Sequence, residues 1–315
     1  MRCQVIERAE IERRLPGIDV MAAMERAFVA YSAGRGVVPP VGELIFRDPP
    51  GDAHIKYGYI AGDEVFVVKV ATGFYRNPEQ GLPGNSGLML VFDARNGLPR
   101  AVLLDEGHLT NVRTAAAGAV AARHLAPREV TAIGVLGSGM QARLQALALK
   151  PVTPCRRLVL WARRPEAARA CAADLTAGGF QVELAATPAA VAAAANLIIS
   201  ATAASEPLLR AGEVRPGTHI TAMGSDTEEK QELAAELVAA ADRLIADSLP
   251  QCRLRGEIHQ ALKRGLLDES KIVELGAVIA GTAIGRPSQR AITVADLTGV
   301  AVQDIEIAKA VLAPA

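Results

Sequence analysis

The spacing of hydrophobic positions changes twice along the chain. Over residues 17–34 the apolar groups Ile18, Met21, Ala22, Met24, Ala27, Phe28 and Tyr31 recur at helical intervals, and Gly34 and Gly36 end the run. Residues 41–104 instead carry short β-rich runs at 42–46, 53–59, 65–72, 88–92 and 99–104. Turn signals separate them at Asp52, Gly62-Asp63, Asn77-Pro78 and Asn96-Gly97, which predicts hairpins in an antiparallel sheet. An Ala-rich helix follows over 109–125 and stops before Pro127. From Glu129 strand and helix alternate. Strands are predicted at 130–136, 157–161, 196–201, 218–223 and 243–246. Helices are predicted from the glycine turn to about Lys150 and at 165–177, 228–240 and 253–264, with a tightly packed Ala-dense helix at 189–195. Such alternation implies a parallel sheet covered on both faces. One more strand and helix, 291–296 and 302–312, complete the tail.

The predicted class is therefore α/β: a Rossmann-type doubly wound parallel sheet plus a second α+β domain with an antiparallel sheet. The dinucleotide-binding Rossmann domain is expected over 127–286. The second, sheet-bearing domain is expected over 1–126, completed by the tail 287–315. Exposed sheet edges and an apolar sheet face in 41–104 need cover, which points to a homodimer.

Composition narrows the function. The 315 residues hold 34 Lys plus Arg and 34 Asp plus Glu, so the net charge is zero. No Lys/Arg cluster with interleaved aromatics argues for nucleic acid as a partner. The first residues lack an apolar signal core, and the apolar runs are interrupted and too short for a bilayer, so no membrane is expected and the location is read as cytoplasmic. Cys3, Cys155, Cys171 and Cys252 are scattered, as small buried hydrophobes in a reducing compartment would be. His54, His108, His124, His219 and His259 have no metal-ligand spacing, and no metal is expected. No Gly-x-Ser-x-Gly elbow or Cys/His pairing suggests a covalent hydrolase.

The sharpest motif is Gly137-Ser138-Gly139-Met140-Gln141-Ala142, between a buried strand and an amphipathic helix. The first glycine permits the tight turn, the second lets a pyrophosphate approach the backbone, and Ala142 lets helix and strand pack closely. The helix N-terminus offers unpaired N–H groups to the phosphates. Gly137, Ser138, Gly139, Met140 and Gln141 are thus cofactor-binding candidates, and Ala162, Thr202, Met223 and Gly224 join them at the ends of following strands. The second strand commonly ends in an acid that takes the adenine ribose hydroxyls. Here it ends Trp161-Ala162-Arg163-Arg164. Arg163 and Arg164 suit a 2′-phosphate and favour NADP(H) over NAD(H), with a solvated loop as the alternative. The missing acid also weakens a methyltransferase reading.

Several segments together resemble the ornithine cyclodeaminase/mu-crystallin family. They are Gly81-Leu82-Pro83, Phe92-Asp93-Ala94, Leu109-Thr110-Asn111-Val112-Arg113-Thr114-Ala115-Ala116-Ala117, the glycine turn, Gly224-Ser225-Asp226, Lys230-Gln231-Glu232-Leu233, and the run from Asp296-Leu297-Thr298-Gly299 to Gln303-Asp304. The resemblance covers nearly the whole chain and implies that the sheet domain, 1–126 with the tail 287–315, is the substrate-binding and dimerisation domain of a homodimer. It also implies NAD(P)-dependent hydride transfer at a C–N bond of a small amino or imino acid. Within it, Lys69 matches a substrate-facing lysine, Arg113 an arginine that grips the substrate carboxylate, and Asp226 an acid/base carboxylate beside the nicotinamide. Each has a plainer alternative: Lys69 snorkelling from an edge strand, Arg113 pairing with Asp105 or Glu106, and Asp226 capping the helix that follows. A lone Lys in Val-Phe-Val-Val-Lys-Val nevertheless needs a reason, because a buried unpaired ammonium is costly.

The implied reactions are ketimine or pyrroline-2-carboxylate reduction and amino-acid dehydrogenation. The alternatives are true ornithine cyclodeamination, giving proline and ammonia, and a non-catalytic, dinucleotide-dependent binding protein of crystallin type. Ornithine itself fits the pattern poorly. Val41 stands where cyclodeaminases carry another carboxylate-gripping arginine, and His54 falls near the place of a glutamate that meets the substrate amines. Gly84 replaces a threonine, and Glu228-Glu229 replace Pro-Gly after the aspartate.

Overall fold

Two sheets organise the protein, whose computed structural model describes residues 3–74 and 76–313. The first is built from β1 (Gln4–Glu7), β2 (Gly36–Val37), β3 (Gly42–Arg47), β4 (Pro50–Ile60), β5 (Val65–Phe74), β6 (Asn85–Asp93) and β7 (Pro99–Leu104). Their order is β1-β7-β6-β5-β4-β2, with β3 also paired to β4. All neighbours are antiparallel except β1 and β7. The five strands predicted from alternation are present. The two short ones, β1 and β2, have too few residues to show a period.

One face of this sheet is covered by the helices Val20–Ser32 and Ala301–Leu312, which pack against each other and, for the latter, against β4 and β5. The register sets Lys56 of β4 opposite Lys69 of β5 and Met89 of β6 beyond it, so these three side chains share the covered face. On the other face Tyr57 and Tyr59 are exposed, as is Leu44 of β3. Phe66 and Phe92 stack there with ring centroids 4.8 Å apart.

The second sheet is wholly parallel. It comprises β8 (Ile133–Leu136), β9 (Arg157–Trp161), β10 (Gln181–Leu184), β11 (Leu197–Ser200), β12 (His219–Ala222), β13 (Arg243–Ala246), β14 (Ile272–Glu274) and β15 (Thr293–Asp296), in the order β10-β9-β8-β11-β12-β15-β13-β14. Every residue of β8, β11, β12 and β15 is buried, the signature of strands covered on both faces. Ile133, Val135, Leu158 and Ile199 fill one side, and Leu136, Val159, Ile198 and Ile220 the other. The strand order reverses between β8 and β11, and ligands of open α/β sheets bind at the carboxyl ends beside such a reversal.

The chain divides into a first unit of residues up to Arg113 plus those from Val300, and a second unit of Thr114–Gly299. Residues 287–299, grouped on sequence grounds with the first domain, lie in the second unit because β15 is paired on both sides, with β12 and β13. The other division falls after Arg113, within the helix His108–Leu125, rather than at residue 126. The predicted helix 228–240 is also shorter, starting at Ala235. The amides of Glu232 and Leu233 donate to the buried Glu257 carboxylate at 2.7 and 3.0 Å and cannot serve a helix.

Candidate active site

In the second unit the glycine turn follows β8 directly and leads into the helix Met140–Ala148. Gly137 has φ +117°, and a Cβ there would lie 2.4 Å from the carbonyl oxygen of Ala201, so only glycine fits. Gly139 has open space where its Cβ would be and caps the helix with no side-chain bond. Gly139 thus lets a bound group approach the helix N-terminus without meeting a side chain at that position, the arrangement that a dinucleotide pyrophosphate needs. Ala142 is fully buried, as close helix–strand packing requires. Ser138 and Gln141 are half-buried and Met140 is exposed. The guanidinium of Arg143 donates to the carbonyl of Ser138 and pairs with Asp174 at 2.6 Å, bracing the turn.

The loops after β11 and β12 are tied together by one buried carboxylate. Glu232 accepts from the amide and hydroxyl of Thr202 at 2.6 and 2.7 Å and from the amide of Gly224 at 2.8 Å. A Cβ on Gly224 would meet the Thr202 carbonyl at 2.1 Å. Gly137, Thr202 and Gly224 are thus brought into one neighbourhood, with the half-buried Met223 between β12 and Gly224. Burial pushes the Glu232 carboxyl above its usual range, although its donors from Thr202 and Gly224 oppose this. Sequence reasoning assigned Glu232 no role. Its presence in a quoted motif was the only signal.

Beyond β9, Ala162 is half-buried, whereas Arg163 and Arg164 are exposed and pair with no described residue. Asp226 lies in an irregular loop after β12 and caps no helix, since the next begins nine residues later. Its Oδ1 accepts from Lys230 Nζ at 2.6 Å, and its carbonyl accepts from Arg255 at 3.2 Å. That carboxylate is about half exposed, with 46% of its side-chain surface accessible.

In the first unit Lys69 and Arg113 converge on a residue that the sequence reading left without a role, Asp304. Lys69 Nζ donates to Asp304 Oδ1 at 2.9 Å, and Arg113 Nε donates to the same oxygen at 3.1 Å. Arg113 Nη1 also donates to Gln303 Oε1 at 3.2 Å. Lys69 is 2% exposed on a strand flanked on both sides, so it does not snorkel from an edge. Arg113 is buried and pairs with neither Asp105 nor Glu106. Asp105 accepts from the Leu109 amide at 2.8 Å and Glu106 pairs with Arg8.

Desolvation, with Arg113 next in weight, lowers the Lys69 pKa to about 7, against the opposing pull of Asp304. Burial alone would raise Asp304, but Lys69 and Arg113 outweigh it and hold that carboxyl below its usual range. The side-chain nitrogen of Gln303 is buried with no hydrogen-bond partner among the described residues. Two cations and an unserved donor around one carboxylate form a set able to hold the carboxylate of a small molecule. Further along the same sheet face, His54 lies 3.5 Å from both Glu43 and Asp52.

Known proteins share this chain from end to end. The model of the ornithine cyclodeaminase/mu-crystallin family matches residues 2–314. A putative dehydrogenase of Rhizobium meliloti is 41% identical over 312 residues, 98% of this chain and 94% of the relative. Among solved structures, Thermococcus litoralis Δ1-pyrroline-2-carboxylate reductase, in complex with NADH and L-proline, superposes with a TM-score of 0.91 at 28% identity, covering 98% of this chain and 96% of that one. The iminosuccinate reductase of Paracoccus denitrificans, in complex with NAD+, gives 0.89 at 31% identity over 99% and 96%. With a doubly wound parallel sheet, a glycine turn at its switch point and relatives that match along their whole length, the chain belongs to the ornithine cyclodeaminase/mu-crystallin family.

Proposed function

We propose that the protein is an NAD(P)-dependent oxidoreductase acting at a C–N bond of a small amino or imino acid. The observation that carries this reading is the buried set Lys69, Arg113 and Gln303 around Asp304, built to receive a carboxylate, in a chain whose other unit carries the dinucleotide turn. The similarity to two imine-related reductases supports it.

A bound nicotinamide cofactor would supply or accept hydride at the carbon bonded to nitrogen. Gly137, Ser138, Gly139, Met140 and Gln141 would hold its pyrophosphate at the helix N-terminus. Ala162, Thr202, Met223 and Gly224 would line its path, and Glu232 positions Thr202 and Gly224. Lys69 and Arg113 bind the substrate carboxylate. Asp226 delivers a proton to the nitrogen in reduction and removes it in oxidation. Reduction thus consumes one hydride and one proton per C=N bond and leaves an amine.

Replacing Asp226 with Asn is expected to lower turnover by ~10²–10⁴ while leaving cofactor affinity nearly unchanged. Fluorescence titration and steady-state assay separate the two. Unchanged turnover would remove Asp226 from the chemistry.

The pH dependence follows from Lys69. A carboxylate binds the protonated lysine, so kcat/KM for an anionic substrate should fall above a pH of about 7. Asp304 raises the Lys69 pKa, so Asp304→Asn should move this limb to lower pH. A limb that stays fixed in the variant would show that another group titrates.

Arg163 and Arg164 favour NADP(H), because each offers an unpaired guanidinium to a 2′-phosphate. Titrating both reduced cofactors should give tighter NADPH binding, lost in the Arg163→Ala, Arg164→Ala double variant. Tighter binding of NADH to the unaltered protein would overturn this preference.

The partly exposed face of the first sheet, with Leu44, Tyr57, Tyr59 and the Phe66–Phe92 stack, supports a homodimer. Light scattering at micromolar concentration should return twice the mass of one chain, and a monomeric mass would rule it out.

A further inference from the structure

Residues 224–232 form no helix or strand, and Asp226 stands among them with its carboxylate half exposed. A side chain on such a loop keeps a fixed place only if something outside the loop holds the backbone. Two bonds close the loop on itself. Lys230 Nζ donates to Asp226 Oδ1, and Ser225 Oγ donates to the Lys230 carbonyl, each at 2.6 Å.

The outside hold comes from the helix Gly256–Lys263. Glu257, Gln260 and Lys263 follow one another at intervals of three and are neighbours on the helix surface. Glu257 accepts from the amides of Glu232 and Leu233. Gln260 Nε2 donates to the Glu228 carbonyl at 2.7 Å, and Lys263 Nζ donates to the Glu228 carboxylate at 3.1 Å. The flanks of the helix add two more bonds. Arg255, just before it, donates to the Asp226 carbonyl at 3.2 Å, and Arg264, just after it, donates to the Gln231 side chain at 3.3 Å.

These bonds differ in what they constrain. The Glu228–Lys263 pair is exposed on both sides, and such a pair contributes little alone. The Gln260 bond ends on a main-chain oxygen two residues from Asp226, and Gln260 is itself half-buried. It therefore limits the backbone that carries Asp226, which a bond between two mobile side chains does not.

Resting on the assignment of Asp226 to proton transfer, we propose that Gln260 is a positioning residue for Asp226. Its carboxamide, with the Glu228–Lys263 pair beside it, docks the loop on the helix and keeps the Asp226 carboxylate in one place.

The assay follows oxidation of NADH or NADPH by Δ1-pyrroline-2-carboxylate and by pyruvate with ammonia. Gln260→Leu should lower kcat about fivefold, with KM and cofactor Kd nearly unchanged. Gln260→Glu, close in size but an acceptor where a donor is needed, should do the same. In an Asp226→Asn background Gln260→Leu should lower kcat no further, because two changes that act through one group do not add. Glu228→Lys should lower kcat about threefold, and Lys263→Glu in the same chain should restore it. A further fivefold loss in the Asp226→Asn background, or a loss carried by KM or cofactor Kd, would overturn the proposal.

Hydrogen exchange gives a readout that needs no turnover. Amides of 224–233 should exchange several-fold faster in Gln260→Leu, and those of 137–150 at the unaltered rate. Unchanged exchange in 224–233 would overturn the docking by Gln260, whatever the enzyme reduces. If the exchange responds as expected but no imine oxidises either cofactor, the oxidoreductase reading falls and the docking of the loop stands.

Discussion

A buried ammonium and a buried guanidinium sharing one carboxylate impose the main constraint on the first unit. Lys69 comes from the middle of β5, Arg113 from the helix His108–Leu125 and Asp304 from the last helix, 235 positions beyond Lys69. None of the three can be buried without the others. Removing one partner of such a set costs roughly 3–5 kcal/mol, because the remaining charge stays desolvated. The chain must therefore return its final helix to the sheet formed by its first hundred residues. That helix is buried nearly all round, with Ile305, Ile307 and Val311 in the core beside Gln303 and Asp304. Desolvation, with the Arg113 charge next in weight, also leaves Lys69 holding its proton weakly, so the same packing that completes the fold tunes the group expected to meet substrate.

The second unit solves a related problem without cations. Its buried acids are satisfied largely by backbone N–H groups. Glu257 serves Glu232 and Leu233, Glu232 serves Thr202 and Gly224, Asp296 serves Ile258, and Asp247 serves Gly299. Burial raises the carboxyls of Glu232 and Glu257, and that of Asp296 to about 8. The tie through Glu232 fixes the loops beyond β11 and β12 relative to each other. Those loops hold residues proposed for the cofactor and for the proton transfer. Rigid placement of such groups by a neighbouring shell is what precise positioning demands.

The periodic parts of this fold were legible in the sequence. Alternation in 41–104 gave the five long strands, and the buried runs near 133, 157, 197, 219 and 243 gave a parallel sheet. The short strands β1, β2, β10 and β14 were not legible, because two to four residues carry no period and are recruited by neighbours already in place. The helix expected at 228–240 failed because side chains distant in sequence capture its amides, and propensity cannot register that. At the site, Gly137 and Gly139 announced themselves by backbone need. Lys69 stood out as a charge inside an apolar strand. Asp304 and Glu232 did not, since an acid on an amphipathic helix and an acid in a loop each look solvated until the tertiary partner is known.

That difference bears on how one fold serves several reactions. The glycine turn, the Glu232 tie and the Lys69–Asp304–Arg113 set are fixed by packing, so changing any of them endangers the fold or the shared chemistry. The β4 face beside Lys69 is less deeply buried than that set. Asp52, His54 and Lys56 alternate there on one strand, half-buried, with Glu43 opposite His54. A shared fold with these fixed parts leaves the substrate unnamed, because function resides in the site and not in the fold.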